Sequence, residues 1–228
     1  MVDALKQEGA KVYIRSNKMG DYLYNELHFK DYFVDNKNFL PSHDESLLSL
    51  WRVKEDEIDL HPELIQQYLK RTFFSNKDLS AVKLSLLESY YNIFDHAEAR
   101  NNAWSMMMYN EECHRLYVAV GDLGIGIPTS VKRVIPSLSD EEALLKAMEP
   151  TFTSMSRKHN RGLGLGYIKD ACTEGDSLTI VSNHAKLVTT QDRTTTAPMP
   201  FLFRGTLIYY ELTLTHFENE EIIDNFEI

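Results

Sequence analysis

Two stretches of the chain carry apolar side chains at three- and four-residue steps, which is the spacing of one helix face. The first begins near Asp59-Leu-His-Pro62 and is broken at Asn76-Lys-Asp78. The second runs from about residue 79 to residue 97. Its predicted core stripe consists of Leu84, Leu87, Tyr91 and Phe94. The pattern therefore predicts two consecutive amphipathic helices.

After residue 103 the pattern changes to alternation of apolar and polar positions among β-branched and aromatic residues, which predicts strands. The predicted strands are residues 104–109, 115–120, 178–182 and 204–214. Between the last two, residues 189–200 are predicted to be a mobile loop. Ser139 and Glu142 have the spacing of a capping box, which predicts a helix over residues 143–148.

The organisation suggests three parts. Residues 1–58 carry aromatic side chains without a clear period, and we treat them as an N-terminal accessory segment whose role the sequence does not indicate. Residues 59–216 contain the predicted helices and strands and form the main domain. Residues 217–228 form an acidic C-terminal tail.

Composition excludes several classes of protein. The chain has 228 residues, 43% of them hydrophobic, and a formal charge of −10. The negative charge argues against a general nucleic-acid-binding surface. The charged N-terminal stretch does not resemble a signal peptide, and no apolar run approaches the length of a membrane span. Because Cys113 and Cys172 are far apart and not in a metal-binding spacing, we expect a reducing compartment, the cytoplasm.

The predicted strand 115–120 leads directly into Asp122, Gly124 and Gly126. A carboxylate can accept a hydrogen bond from an amino group, and glycines let the backbone come close to a flat ligand. A tight turn after a strand uses the same residue types. The motif alone leaves both interpretations open.

Glu88, Asn92 and Asp95 lie on one line of the second predicted helix, and His96 lies just beside it. A glutamate and an asparagine one turn apart supply a candidate general base and a neutral oxygen ligand for Mg²⁺. A solvated polar face beside a core face is the alternative interpretation.

A second glycine cluster, Gly162, Gly164 and Gly166, precedes another predicted helix. Free N–H groups at such a helix start suit an anion such as a polyphosphate, whereas tight helix packing would use the same glycines. The preceding loop is rich in hydroxyl and cationic side chains, including Lys158 and Arg161. It is either a mobile surface loop or a lid that closes over phosphates.

The order of these features resembles the GHKL superfamily, which includes type II topoisomerase ATPase domains, ATP-driven heat-shock chaperones, histidine kinases and MutL. The chain has a helix with Glu88 and Asn92, the Asp122 motif, a long loop, the second glycine cluster, and Gly205-Thr206 before a last strand. The resemblance covers residues 60–216. It implies a two-layer α+β sandwich with helices on one face of a mixed, mostly antiparallel sheet, and a long ATP lid.

The resemblance also implies ATP and Mg²⁺ as ligands and a role for each matching residue. Asp122 would accept a hydrogen bond from the adenine amino group, with Thr206 helping to hold adenine. Asn92 would be a ligand of Mg²⁺, and Glu88 would orient or deprotonate the attacking water or hydroxyl. The remaining nucleotide-binding residues would be Gly124, Gly126, Lys158, Arg161, Gly162, Gly164 and Gly166.

Two subfamily signals point in different directions. His96-Ala97 after Asn92 is similar to histidine kinases and anti-sigma serine kinases, whereas Asp95 is similar to MutL and the chaperones. No histidine lies in a phosphoacceptor-helix pattern, so we expect a stand-alone domain that acts on a protein partner. The expected activity is ATP hydrolysis or phosphoryl transfer, and a non-catalytic ATP-dependent switch is the alternative. Some relatives dimerise through an N-terminal segment, so a homodimer is a further expectation.

Overall fold

The computed structural model describes residues 17–26, 47–99, 103–149, 152, 169, 172–213 and 217–219. The helices are α1 Lys18–Asp21, α2 Leu60–Thr72, α3 Ser80–His96, α4 Ile127–Lys132 and α5 Asp140–Ala147, with a π-helix at Tyr22–Glu26 and a 3-10 helix at Glu55–Glu57. The strands are β1 Leu47–Val53, β2 Ala103–Asn110, β3 Arg115–Asp122, β4 Ser177–Thr189 and β5 Thr194–Thr213. The two long helices and the four strands predicted from the sequence are present, whereas α1, α4 and β1 were not predicted.

The strands form one open five-stranded sheet in the order β1-β2-β3-β5-β4. Every pairing among the described strands is antiparallel. Helix α3 packs on β2 and β3, and α5 packs on β4 and β5. The predicted α+β sandwich with a mostly antiparallel sheet is confirmed. Strand β1, which lies in the segment assigned as accessory, is an edge strand of this sheet.

Rows of apolar side chains run across β3, β5 and β4 and form the core of the sheet. One row consists of Val118, Tyr210 and Leu178, and the next consists of Val120, Ile208 and Ile180. All six side chains are buried, and each such side chain stabilises the fold by about 1.5–3 kcal/mol. The Tyr210 hydroxyl reaches α3, where it hydrogen-bonds with Ser89. The rows therefore attach the helical layer to the sheet.

The buried side of α3 differs from the predicted stripe. Leu84, Leu87, Tyr91 and Phe94 are only half-buried, whereas the buried positions are Val82, Ser85, Leu86, Ser89, Tyr90 and Ile93. Both sets recur at three- and four-residue steps, so periodicity alone could not separate them. The helix is apolar over a wide arc because it contacts α2 as well as the sheet. On its α2 side, the Tyr90 hydroxyl lies 3.0 Å from Nδ1 of the buried His61.

Residues 189–200 do not form the predicted loop. They form a tight turn and the first part of β5, and Thr190 N donates to Arg193 O at 3.0 Å to close the hairpin. From the Thr190–Arg193 pair, hydrogen-bonded and non-hydrogen-bonded pairs alternate along the two strands. Pro198 and its partner Ala185 form a non-hydrogen-bonded pair, so the nitrogen of Pro198 points away from β4. A proline is tolerated at this position because the pairing of β4 with β5 uses no backbone N–H from residue 198. The loop prediction was wrong because the pairing of β4 with β5 continues to Thr189 and Thr194, which leaves only a short turn between the strands.

Helix α5 begins with the predicted capping box. Ser139 Oγ accepts from Glu142 N at 3.1 Å, and the Glu142 carboxylate accepts from Ser139 N at 2.7 Å. An ion pair between Lys132 and Asp140 joins the unpredicted short helix α4 to α5. The capping box thus fixes the start of a helix that packs on β4 and β5.

The helices in the described residues are short. The longest of them, α3, has 17 residues, and a membrane span needs about 20. None of these helices combines the length and the apolar character that crossing a membrane requires.

Candidate functional site

Where β3 ends, the row of buried side chains that crosses β3, β5 and β4 is polar instead of apolar. The row after Val120 consists of Asp122 on β3, Thr206 on β5 and Ser182 on β4. Thr206 and Ser182 are register partners, and Asp122 lies one step beyond Gly121, which pairs with the residue after Thr206. The three side chains are 2%, 5% and 0% exposed, respectively. Because buried polar groups require hydrogen-bond partners, this row is the candidate site.

The Asp122 carboxylate is only partly satisfied by the protein. Its Oδ1 accepts a hydrogen bond from Gly124 N at 2.6 Å, whereas Oδ2 has no hydrogen-bond partner among the described residues. Burial raises the pKa of the carboxyl from 3.8 to about 7, and the backbone N–H groups of Gly124 and Thr206 oppose that rise. A donor at Oδ2 would favour the ionised form. The carboxylate is therefore suited to accept a hydrogen bond from a ligand.

Gly124 is required because the loop after Asp122 comes very close to the C-terminal end of α3. A Cβ atom at Gly124 would lie 1.9 Å from the Ala97 carbonyl oxygen and 2.9 Å from Asp122 Oδ1. The same Ala97 oxygen accepts from Ile125 N at 2.8 Å. The loop that holds Asp122 is thus joined directly to α3.

Gly126 and Gly205 adopt φ angles of +80° and +90°. Residues other than glycine rarely adopt such angles because their Cβ atom would clash with the backbone. A Cβ atom at Gly126 would lie 2.1 Å from Asn183 Oδ1 and 2.7 Å from Ser182 Oγ. A Cβ atom at Gly205 would lie 2.2 Å from the Asp122 carbonyl oxygen. These glycines let the end of β3 meet interior positions of β4 and β5 at the polar row.

Glu88 and Asn92 are half-buried on α3, and Asn92 Nδ2 donates to Glu88 Oε1 at 3.3 Å. This bond directs the amide nitrogen toward Glu88, so the amide oxygen is the atom that could face a cation. Asn92 lies five residues before Ala97, which is about 7.5 Å along the helix axis. Asp95 is half-buried in the last turn, and His96 is the last residue of the helix. Asn92 is thus close to the helix end that touches the Asp122 loop.

The predicted phosphate end falls outside the described residues. It comprises Lys158, Arg161, Gly162, Gly164 and Gly166, together with most of the predicted lid. The predicted nucleotide-binding residues that are described fall into two groups. Asp122, Gly124, Gly126 and Thr206 meet at the polar row, and Asn92 lies on the helix joined to it.

Two residues of β4 at this site were not found from the sequence. Ser182 Oγ makes hydrogen bonds with Gly205 O at 2.7 Å, Thr206 Oγ1 at 3.1 Å and Ile127 N at 3.0 Å. Asn183 Nδ2 donates to Thr129 Oγ1 at 2.6 Å. A Ser-Asn pair within a strand is a weak signal, and only the register of β4 against β5 shows its proximity to Thr206.

The groups present fit an adenine nucleotide with Mg²⁺. The buried Asp122 Oδ2 suits the exocyclic amino group of adenine, whereas guanine has an acceptor oxygen at the same ring position. In the described ranges no cluster of three or more His, Cys, Asp or Glu side chains could hold a metal ion. Magnesium usually takes one or two protein ligands plus substrate phosphates, and the Asn92 amide oxygen is a suitable ligand.

A scan against models of known protein families found no match, and a search of curated protein sequences found none either. The resemblance to the GHKL superfamily therefore depends on the residues of this chain alone.

Proposed function

We propose that this chain is an ATP-binding domain of the GHKL type that, with Mg²⁺, hydrolyses ATP or transfers its terminal phosphoryl group to a protein partner. The observation that carries the proposal is the buried Asp122 carboxylate, whose Oδ2 has no hydrogen-bond partner among the described residues. A buried acceptor of this kind is costly unless a donor satisfies it. The adenine amino group is such a donor.

The residues on α3 supply the proposed chemistry. Bound Mg²⁺-ATP would supply the phosphoryl group, and the Asn92 amide oxygen would be a protein ligand of the cation. Glu88, held one turn away by the Asn92 amide, would orient or deprotonate the attacking hydroxyl. The attacking oxygen would bond to the terminal phosphorus as its bond to ADP breaks, ADP would leave, and the proton would move from the attacking oxygen to the Glu88 carboxylate.

Calorimetry with Mg²⁺-ATP and Mg²⁺-ADP tests the binding claim. We expect both nucleotides to bind, and Asp122→Ala to weaken binding by about 13- to 150-fold, the loss of one hydrogen bond to a charged group. Glu63→Gln is the matched control, because that carboxylate pairs with Lys83 between α2 and α3, away from the polar row. If the wild-type protein binds neither nucleotide, the proposal is wrong.

Turnover of ATP labelled at the terminal phosphate tests the catalytic claim. We expect Glu88→Gln to lower the rate by about 10²–10⁴-fold while binding is retained, and Glu63→Gln to leave the rate unchanged. Release of labelled phosphate indicates water as the acceptor, and transfer of the label to a protein indicates a kinase. Binding without turnover in the wild type would contradict the catalytic claim and favour an ATP-dependent switch.

A further inference from the structure

The hydroxyl group of Ser182 has all of its hydrogen-bonding capacity in use. A hydroxyl can donate one hydrogen bond and accept two. Gly205 O can only accept, so the Ser182 proton is donated there. Ile127 N can only donate, so Ser182 Oγ accepts from it. The remaining contact, with Thr206 Oγ1 at 3.1 Å, must therefore be one in which Ser182 accepts.

This assignment fixes the direction of the Thr206 hydroxyl. Its proton is donated to Ser182 Oγ, and only its lone pairs are left for another partner. Two observations place Thr206 beside Asp122. The Thr206 backbone N–H lowers the pKa of the Asp122 carboxyl, and a Cβ atom at Gly205 would touch the Asp122 backbone. The polar row therefore presents two neighbouring acceptors, Thr206 Oγ1 and Asp122 Oδ2.

We propose that Ser182 is a positioning residue of the candidate nucleotide site, which holds Thr206 Oγ1 as an acceptor so that Asp122 and Thr206 together receive the two hydrogens of an exocyclic amino group. The inference builds on the proposed function. It adds a residue that acts on the ligand only through Thr206.

A purely structural role for Ser182 makes a different prediction. Ser182 joins β4 to the Gly205 carbonyl of β5 and to the start of α4, so its loss could weaken the fold and lower affinity for every nucleotide equally. A role through Thr206 changes only the recognition of the amino group. The ratio of two affinities separates these cases, because a general loss of folded protein cancels in the ratio.

The experiment compares calorimetric affinities for ATP and for purine riboside triphosphate, which lacks the amino group. In the wild type we expect ATP to bind about tenfold or more tightly than the analogue. Ser182→Ala frees the Thr206 hydroxyl to rotate, and we expect it to lower this ratio by about three- to tenfold. Thr206→Val should lower the ratio by a similar factor, and the double variant should lower it no further than either single one.

Thr129→Ala is the matched control. It removes a hydrogen bond between α4 and β4, in which Asn183 Nδ2 donates to Thr129 Oγ1 and Thr206 takes no part, so the ratio should keep its wild-type value. If Ser182→Ala does not fold, Ser182→Cys retains a side chain of similar size with a much weaker acceptor and should lower the ratio too.

The outcomes separate this inference from the proposed function. A Ser182 variant that keeps the wild-type ratio, while Thr206→Val lowers it, overturns the role of Ser182 alone. A ratio near one in the wild type overturns recognition of the amino group. Failure of the wild type to bind either triphosphate defeats the proposed function itself. Non-additive loss in the double variant supports the inference.

Discussion

The buried Asp122 carboxyl leads to a prediction in which stability and nucleotide binding change in different ways. Asp122→Asn keeps the shape of the side chain and leaves Oδ1 able to accept from Gly124 N. It removes the titrating group, and it replaces the acceptor at Oδ2 by an N–H donor. Each change has a separate consequence.

The first consequence concerns stability as a function of pH. Burial raises the folded-state pKa of Asp122 from 3.8 to about 7. A raised pKa means that the folded state is favoured at low pH and loses stability as pH rises toward 7, because the unfolded chain ionises more easily. The total loss is about 4 kcal/mol, at about 1.4 kcal/mol per pH unit. Asparagine does not titrate, so the variant lacks this loss.

The unsatisfied amide N–H of the variant costs about 1–3 kcal/mol at every pH. The difference in unfolding free energy between variant and wild type should therefore shift by about 3 kcal/mol between pH values near 4.5 and near 8. The shift favours the variant at the higher pH. Other titrating groups are common to both proteins and cancel in this difference.

The second consequence concerns binding. An N–H donor in the Oδ2 position would face the amino donor of adenine, so we expect Asp122→Asn to weaken Mg²⁺-ATP binding by tenfold or more. In the wild type, a ligand donor at Oδ2 lowers the pKa of the carboxyl, so binding near neutral pH should release a fraction of a proton. That release should be absent in the variant.

Urea denaturation of both proteins across this pH range measures the first effect. Calorimetry in two buffers of different ionisation enthalpy measures the affinity and the proton release. Parallel stability curves for the two proteins would refute a buried carboxyl with a raised pKa. Equal affinities would refute the role of Asp122 as the acceptor for the base.

Three further predictions concern the fold. Burial lowers the pKa of His61 from 6.5 to about 4, so the folded state loses about 3 kcal/mol of stability as pH falls through this window. In urea denaturation, His61→Asn should reduce the loss of unfolding free energy between pH 6.5 and pH 4. An unchanged loss would contradict the prediction. Gly124→Ala places a Cβ atom against the Ala97 carbonyl and should cost about 2 kcal/mol or more in thermal or urea denaturation; a wild-type midpoint would show that the loop does not approach α3 as described. Ser139→Ala removes the cap of α5 and should cost about 1 kcal/mol, whereas the exposed Ser137→Ala should have no effect on the same curve.

Local patterns were sufficient to predict most elements of the sheet and its helices. The alternation in residues 115–120 predicted β3, and the spacing of Ser139 and Glu142 predicted the start of α5, because each depends on neighbours in the sequence. The buried side of α3 could not be chosen in this way. Its apolar residues cover both the face toward the sheet and the face toward α2, and the tertiary contacts decide how deeply each is buried.

The candidate site was predictable to a similar degree. Asp122, Gly124 and Gly126 are close in sequence, so one motif contained both the carboxylate and the glycines that let other segments approach it. Ser182 belongs to the same row but lies 24 residues from Thr206 in sequence. Its position depends on the register between β4 and β5, and no local pattern encodes that pairing.

The two tryptophans of the chain give the protein a pair of optical reporters. Trp51 lies with its ring centroid 5.9 Å from that of His61. Because an imidazolium quenches indole fluorescence, protonation of His61 should dim this emission. Trp104 is paired in the sheet with Gly121, the residue before Asp122. The variant Trp104→Phe retains Trp51 and would follow the His61 cluster, whereas Trp51→Phe retains Trp104 and would follow the opposite face of the sheet at Gly121.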